Sequence, residues 1–175
     1  CGSTPSEPAT MSNWSAEFKS PGFDSGLYDN NQRCIWVINI PSAAKIQITF
    51  KTFNLNSNEN ECDDYVEVTD SESVLFFDCG YITTPFQVTS LENQIQVVFY
   101  SDYENTSIGF NAVYEGLCGG VVENSVLLRT PNYPSAPQSN TVCRWFVGSE
   151  FHVSIIAVVN ETLSPLPSCN MNTAV

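Results

Sequence analysis

The chain has 175 residues, 42% of them hydrophobic and 12% aromatic, enough for one large domain or for one domain and part of another. Six Lys and Arg stand against 19 Asp and Glu, a net charge of −13, which argues against nucleic acid and anionic membrane surfaces as partners because both need clustered basic side chains. The imbalance is uneven: residues 1–117 hold 4 basic and 16 acidic side chains, residues 118–175 only 2 and 3.

Cys1–Asp24 is rich in Ser, Pro and Thr without periodicity and reads as an extended lead-in. Ser20-Pro21-Gly22-Phe23 is a turn signal, since Pro fixes φ and Gly accepts positive φ. Cys34–Ile40 alternates, with Trp36, Ile38 and Ile40 on one face, and Pro41 ends it. Ala44–Phe53 is the central strand, alternating Ile46, Ile48 and Phe50 against Lys45, Gln47, Thr49 and Lys51. A loop follows that is crowded with Asn56, Glu59, Glu61, Asp63 and Asp64 and anchored by Cys62. Tyr65–Asp70 alternates again, Asp78-Cys79-Gly80 marks a corner, and Phe86–Ser90 reads as a short strand. Gln94–Tyr100 turns Ile95, Val97 and Phe99 inward, Asp102–Ile108 is a polar loop, and Gly109–Glu115 closes the unit.

Short strands at near-regular spacing, with no convincing amphipathic helix, predict an antiparallel sandwich or barrel. An immunoglobulin-like sandwich is rejected, because its Trp lies well after the first bridging Cys, whereas here the spacing is Cys34-x-Trp36. Seven Cys without a C-x-x-C pair, and a single His, argue against a zinc site and for disulfides in an oxidising compartment. Sequons at Asn13, Asn105 and Asn160 point the same way, to a secreted glycoprotein. A chain that begins at Cys1 fits a mature protein whose signal peptide is gone, as it would a trimmed one. The longest apolar run, Val153–Val159, is interrupted by Ser154 and is far shorter than the ~20 residues that span a bilayer, so no membrane insertion is expected.

The chain repeats itself. Cys34-Ile-Trp36 recurs as Cys143-Arg-Trp145, and Ser20-Pro21-Gly22-Phe23 as Thr130-Pro131-Asn132-Tyr133. Cys34 precedes Cys62 by 28 residues and Cys143 precedes Cys169 by 26, while Val153, Ile155 and Ala157 stand where the central strand stands in the first copy. The expected organisation is one complete unit over 1–117 and a partial second unit over 118–175. An enzyme finds little support. The only His, His152, sits in a strand pattern, and there is no nucleophile elbow or phosphate loop.

At this point the sequence resembles the CUB domain family: throughout over 1–116, and as a first half over 118–175. The residues that carry the match are Ser20-Pro21, Tyr28, Cys34-x-Trp36, Phe50-x-x-Phe53-x-Leu55, Cys62-Asp-Asp64-Tyr65, Cys79-Gly80, Phe99-Tyr-Ser-Asp102 and Gly109-Phe-Asn-Ala-x-Tyr114. In the second copy they are Cys118-Gly-Gly, Arg129-Thr-Pro-Asn-Tyr-Pro134 and Cys143-x-Trp145. The resemblance implies an all-β, jelly-roll-like antiparallel sandwich that is extracellular, lacks catalysis of its own, and binds proteins or glycans. It implies the bridges Cys1–Cys34, Cys62–Cys79 and Cys118–Cys143. Cys169 is then left over, its partner expected beyond the end of the chain or in another molecule.

Many members bind Ca2+ at one end of the sandwich, and the resemblance carries that site onto Asp64 and Asp102, with Tyr28 supporting and Asn56 where the family has Glu. Calcium accepts an Asn oxygen, but the lost charge weakens the site, and Glu59 or Glu61 are candidates to compensate. In members with the full site, calcium orders loops that grip a basic side chain of the partner. A glycan on Asn105 would crowd that face here. The plainer role for the two aspartates is loop capping through backbone N–H groups. Three functions follow: a calcium-assisted recognition module; the interaction arm of a larger secreted protease, to which such modules are often joined; and a structural protein that self-associates into oligomers or fibres through the partial second unit and Cys169.

Overall fold

The structure, a computed structural model, describes residues 1, 7–58, 61–71, 73–122, 130–131, 142–147 and 153–158. Thirteen strands are present among them: β1 (Ala9–Met11), β2 (Ser15–Lys19), β3 (Arg33–Asn39), β4 (Lys45–Asn54), β5 (Tyr65–Thr69), β6 (Val74–Asp78), β7 (Tyr81–Ile82), β8 (Phe86–Thr89), β9 (Gln94–Tyr100), β10 (Gly109–Leu117), β11 (Gly120–Val122), β12 (Val142–Val147) and β13 (Val153–Val158). One five-stranded sheet runs β1-β3-β9-β5-β6; the other runs β2-β10-β4-β7, with β8 also pairing β4. All pairings in the two sheets are antiparallel except β1 on β3. The fold is the expected all-β sandwich.

Alternation along the strands makes the core. Ile46, Ile48, Phe50 and Phe53 of β4 face Trp36 and Ile38 of β3 and Ile95, Val97 and Phe99 of β9, all of them buried. The interior is heavily aromatic. Phe110 is its hub, with ring centroids 5.7 Å from Phe18 and from Trp36, 5.6 Å from Phe50 and 6.1 Å from Phe99, in edge-to-face contacts that add to simple area burial.

The lead-in expectation for Cys1–Asp24 needs correcting: it holds β1 and β2. Their apolar content is slight, and pairing makes them strands. β2 lies along β10, where Phe18 joins the core, and β1 lies along β3. Val74–Asp78 and Tyr81–Ile82, which flank the expected corner at Asp78-Cys79-Gly80 and carry no strand expectation, are also strands. The corner itself is present, with Gly80 at φ 70°. The turn at Ser20–Phe23 continues into a 3-10 turn over Phe23–Ser25. Gly22 is required there, because at φ 75° a Cβ would stand 2.1 Å from the Leu27 carbonyl oxygen.

Three bridges join Cys1–Cys34, Cys62–Cys79 and Cys118–Cys143, the pairs implied by the resemblance. The described residues after Cys118 form a three-stranded sheet, β11-β12-β13. It repeats one device of the first unit: a short strand runs parallel to the Cys-x-Trp strand, with Ala9 opposite Trp36 in one copy and Gly120 opposite Trp145 in the other. It departs in the next step. β13 pairs with β12, whereas β4, its counterpart in the sequence repeat, lies in the sheet opposite β3. The place beside the Cys-x-Trp strand that β9 fills in the first unit is taken by β13. Cys169, Asn160 and His152 lie outside the described residues.

Two substitutions separate packing from polarity in this core. Phe110→Ala is expected to lower the unfolding free energy by about 3–5 kcal/mol in urea titrations. The buried Tyr114 hydroxyl has no hydrogen-bond partner among the described residues. Tyr114→Phe is therefore expected to be neutral or to raise stability by up to about 1 kcal/mol, and a loss above that would show the hydroxyl to be satisfied.

Candidate functional site

Strand register decides which loops meet. Arg33 at the start of β3, Tyr100 at the end of β9 and Tyr65 at the start of β5 are direct neighbours. In the other sheet Gly109 opens β10 opposite Asn54, which ends β4. The segments before β3, after β4, before β5 and after β9 therefore converge at one rim of the sandwich. The Cys62–Cys79 bridge and the Leu55 N–H donating to the Gly80 carbonyl (2.8 Å) fasten the acidic loop to the corner between β6 and β7. By the chain-entropy account, a loop of this length contributes ~3 kcal/mol through its bridge.

At that rim the structure brings Tyr28, Asn56, Asp64 and Asp102 together. Tyr28 is buried, its ring edge-on to Phe99 at 5.1 Å. Its hydroxyl donates to Asp64 Oδ2 at 2.5 Å and accepts the Asn56 N–H at 2.8 Å. The other Asp64 oxygen, Oδ1, accepts the Asp102 N–H at 2.8 Å. Asp102 in turn accepts the Glu104 N–H on Oδ1 at 2.8 Å and the Asn31 N–H on its carbonyl at 2.5 Å. Asp64 is thus the node through which three loops are held, and it is 0% exposed.

Its electrostatics are unbalanced. Burial pushes the Asp64 carboxyl above the usual range, and the charges of Asp102 and Asp63 push the same way, against the Tyr28 and Asp102 hydrogen bonds that favour the ionised form. The Tyr28 hydroxyl is raised too, by burial first and by Asp64 second. Among the described residues no ion pair reaches Asp64 or Asp102. The ion pairs among the described residues are Lys19–Asp24 at 2.7 Å and Lys51–Glu17 at 3.3 Å, both elsewhere. Each Asp64 oxygen keeps a second lone-pair direction beyond the bond it accepts.

Other candidates fall differently. Glu59 lies outside the described residues, and Glu61 is exposed, meeting Asn58 through its backbone. Asp63 accepts from the Asn58 side chain rather than joining Asp64. Asn13 and Asn105 are both exposed, Asn105 in the left-handed region at φ 51°. Cys62, Asp78 and Cys79 also cluster, but both sulfurs are spent in the bridge.

Three participants escaped the sequence reading. The buried Ser101 hydroxyl donates to the Asp29 carbonyl (2.8 Å) and accepts the Gln32 N–H (2.9 Å). Ser107 donates to Asn54 Oδ1 at 2.9 Å. Asn30 donates to the Tyr103 carbonyl at 2.8 Å, and its buried Oδ1 has no partner among the described residues. The one available signal was the Asn30-Asn31 pair, a turn former, which places Asn31 at φ 59°.

A pH dependence follows. Because the native Asp64 pKa lies above its unfolded value, the native state binds more protons over the interval between them, so this group's contribution to stability falls as pH rises through that interval. In chelator, Asp64→Asn is expected to flatten the decline in melting temperature from pH 4 upward. An unchanged profile would place the native pKa at the unfolded value.

Comparison with known proteins agrees with this architecture. The CUB domain family model matches residues 1–114. Bone morphogenetic protein 1 of Xenopus laevis is 33% identical over 153 residues, covering 83% of this chain and 21% of that protein. Cubilin of Sus scrofa is 30% identical over 123 residues, covering 70% of the chain and 3% of its own length. This chain thus spans only a small part of the relatives it matches. A crystal structure of the MASP-1 CUB2 domain bound to Ca2+ superimposes with a TM-score of 0.56 at 18% identity, over 62% of this chain and 97% of that one, which speaks to the fold alone. The chain belongs to the CUB domain family.

Proposed function

We propose that this chain is an extracellular, non-catalytic recognition module that binds a protein or glycan with the help of calcium at the Asp64–Asp102 rim. One observation carries the reading: a fully buried carboxylate, pressed by a second one and joined to no basic side chain among the described residues. The donor set suits a hard cation. Asp64 and Asp102 supply charged oxygens, Asn56 a neutral one, and the orphaned Oδ1 of Asn30 is a further oxygen in the adjoining loop. Tyr28 would hold Asp64 in place from behind while donating to its Oδ2. Bound calcium supplies the positive charge the cluster lacks and ties the loops to one another. The order so gained would leave acidic side chains at the rim to meet a basic side chain of the partner, and a glycan on Asn105 would narrow the approach.

Residues 1–117 are read as the complete unit and 118–175 as the first half of a second, a division supported by the repeated parallel pairing beside each Cys-x-Trp strand. The small share of each relative that the chain spans favours an arm of a larger secreted protein. The disulfides favour an oxidising compartment. No helix among the described residues is long and apolar enough to cross a membrane.

The test is thermal unfolding of the full chain against calcium concentration. A ligand bound only by the folded state stabilises by about 2.7 kcal/mol at one hundred times its dissociation constant. The melting temperature should rise with calcium in the wild type and not in Asp64→Asn or Asp102→Asn. Asn56→Glu, which restores a carboxylate, should tighten binding by roughly tenfold. An unmoved transition at millimolar calcium in the wild type would overturn the metal reading.

A further inference from the structure

The outward face of the first sheet follows from register. Val66 and Val68 of β5, Val97 and Phe99 of β9 and Phe76 of β6 belong to the core, so Tyr65, Glu67, Val98, Tyr100 and Phe77 stand on the opposite face. Tyr65 lies beside Tyr100, ring to ring at 5.3 Å, and its ring is 5.0 Å from that of Phe77. Glu67 sits between Val98 and Phe77 in the neighbouring row. Leu75 is the extra residue of a bulge, which turns Val74 to the side of Thr69 on this same face. Towards β3 the face is closed to solvent, Ile35 and Val98 being 1% and 5% exposed; towards β6 it is open, Phe77 and Val74 being 51% and 57% exposed.

β6 is also the last strand of its sheet, and among the described residues no backbone bond from outside the sheet reaches Val74–Asp78. Its sequence, Val-Leu-Phe-Phe-Asp, has none of the Lys or Pro that commonly guard an edge. Charge selects what such an edge accepts. The Glu67 carboxylate has no hydrogen bond or ion pair among the described residues, and Asp78 and Asp70 close the two ends of β6. Lys19 and Lys51 are paired elsewhere, and Lys45 opens β4 in the other sheet. Arg33 is on this face beside Tyr100, but on β3, three strands from β6, and no ion pair among the described residues joins it to Glu67. A second copy of this chain, at −13, would meet like charge here, whereas a basic segment is drawn in.

We propose that this edge docks an extended, arginine-bearing segment of a partner protein, which adds a sixth strand beside β6. An added strand lies two inter-strand spacings, about 10 Å, from β5. An outward arginine crosses that distance over the Phe77 ring and meets the Glu67 carboxylate, joining a cation–π contact to a charge-assisted one while the backbone supplies affinity without regard to sequence. The docking edge adjoins the Asp64 rim, two residues along β5 from Tyr65, but its contacts at Glu67 and Phe77 use none of the rim's oxygens and do not depend on calcium.

The test uses the full chain and a fluorescein-labelled peptide alternating valine and arginine, followed by fluorescence anisotropy at fixed salt in EGTA and again in calcium chloride. Saturable binding is expected, the same in both solutions, and none to a peptide with glutamate in place of arginine. Glu67→Gln should weaken it by about fivefold, Phe77→Ala by about two- to fivefold, and Val74→Lys through like charge at the edge. Melting temperatures equal to the wild type keep these comparisons valid, and Glu67→Gln alone carries the test if Phe77→Ala does not fold. Equal affinity for both peptides, or wild-type affinity in Glu67→Gln, overturns the proposal. So does binding that appears only in calcium, which would return the peptide to the Asp64 rim. A dimer that Phe77→Ala dissolves, without peptide binding, assigns the edge to self-association and overturns it as well.

Discussion

The rim of the sandwich depends on keeping the Asp64 carboxylate out of water. A buried carboxylate is costly unless its oxygens are met, and here one is met by the Tyr28 hydroxyl and the other by the Asp102 N–H. Those two partners come from loops before β3 and after β9, which are also bonded to each other, so satisfying one side chain ties both loops to the segment before β5. Tyr28 extends the chain of constraint to Asn56 in the opposite sheet's loop. Remove the acid, and the segment before β5 lets go of the other two, which stay joined to each other through the Asn31–Asp102, Ser101–Asp29 and Asn30–Tyr103 bonds.

The arrangement rests on the aromatic interior beneath it. Phe99 supports the Tyr28 ring edge-on, and Phe110 supports Phe99, linking the rim to the centre of the core. Ser20 and Gly109 reinforce this end. The Ser20 hydroxyl accepts the Phe110 N–H at 3.0 Å, in space left free because Gly109 has no Cβ, which would fall 1.9 Å from that oxygen. Packing energy is thereby converted into loop position, which is what a recognition surface requires.

Much of the fold was legible because its central strands alternate strongly: β4 and β9 appear in the sequence to within a residue. The weak strands were not. β1 and β2 have few apolar residues and exist through pairing, while β6 carries a continuous apolar run whose bulge erases the period of two. The meeting of Tyr28, Asp64 and Asp102 was foreseen through family resemblance rather than spacing, since the three are far apart along the chain. The roles of Ser101, Ser107 and Asn30 were hidden for a different reason. Short polar side chains that bond to backbone leave no periodic trace, and only the folded loops reveal which carbonyl each one meets.

The parallel pairing at the start of the chain has a mechanical corollary. β1 is three residues long and holds its place beside β3 with the Cys1–Cys34 bridge as a clasp. Opening that clasp in a reducing environment would let a short border strand peel away, uncovering the hydrogen-bonding groups of β3 along the flank of the sheet. The molecule would then acquire an adhesive margin that oxidation keeps shut.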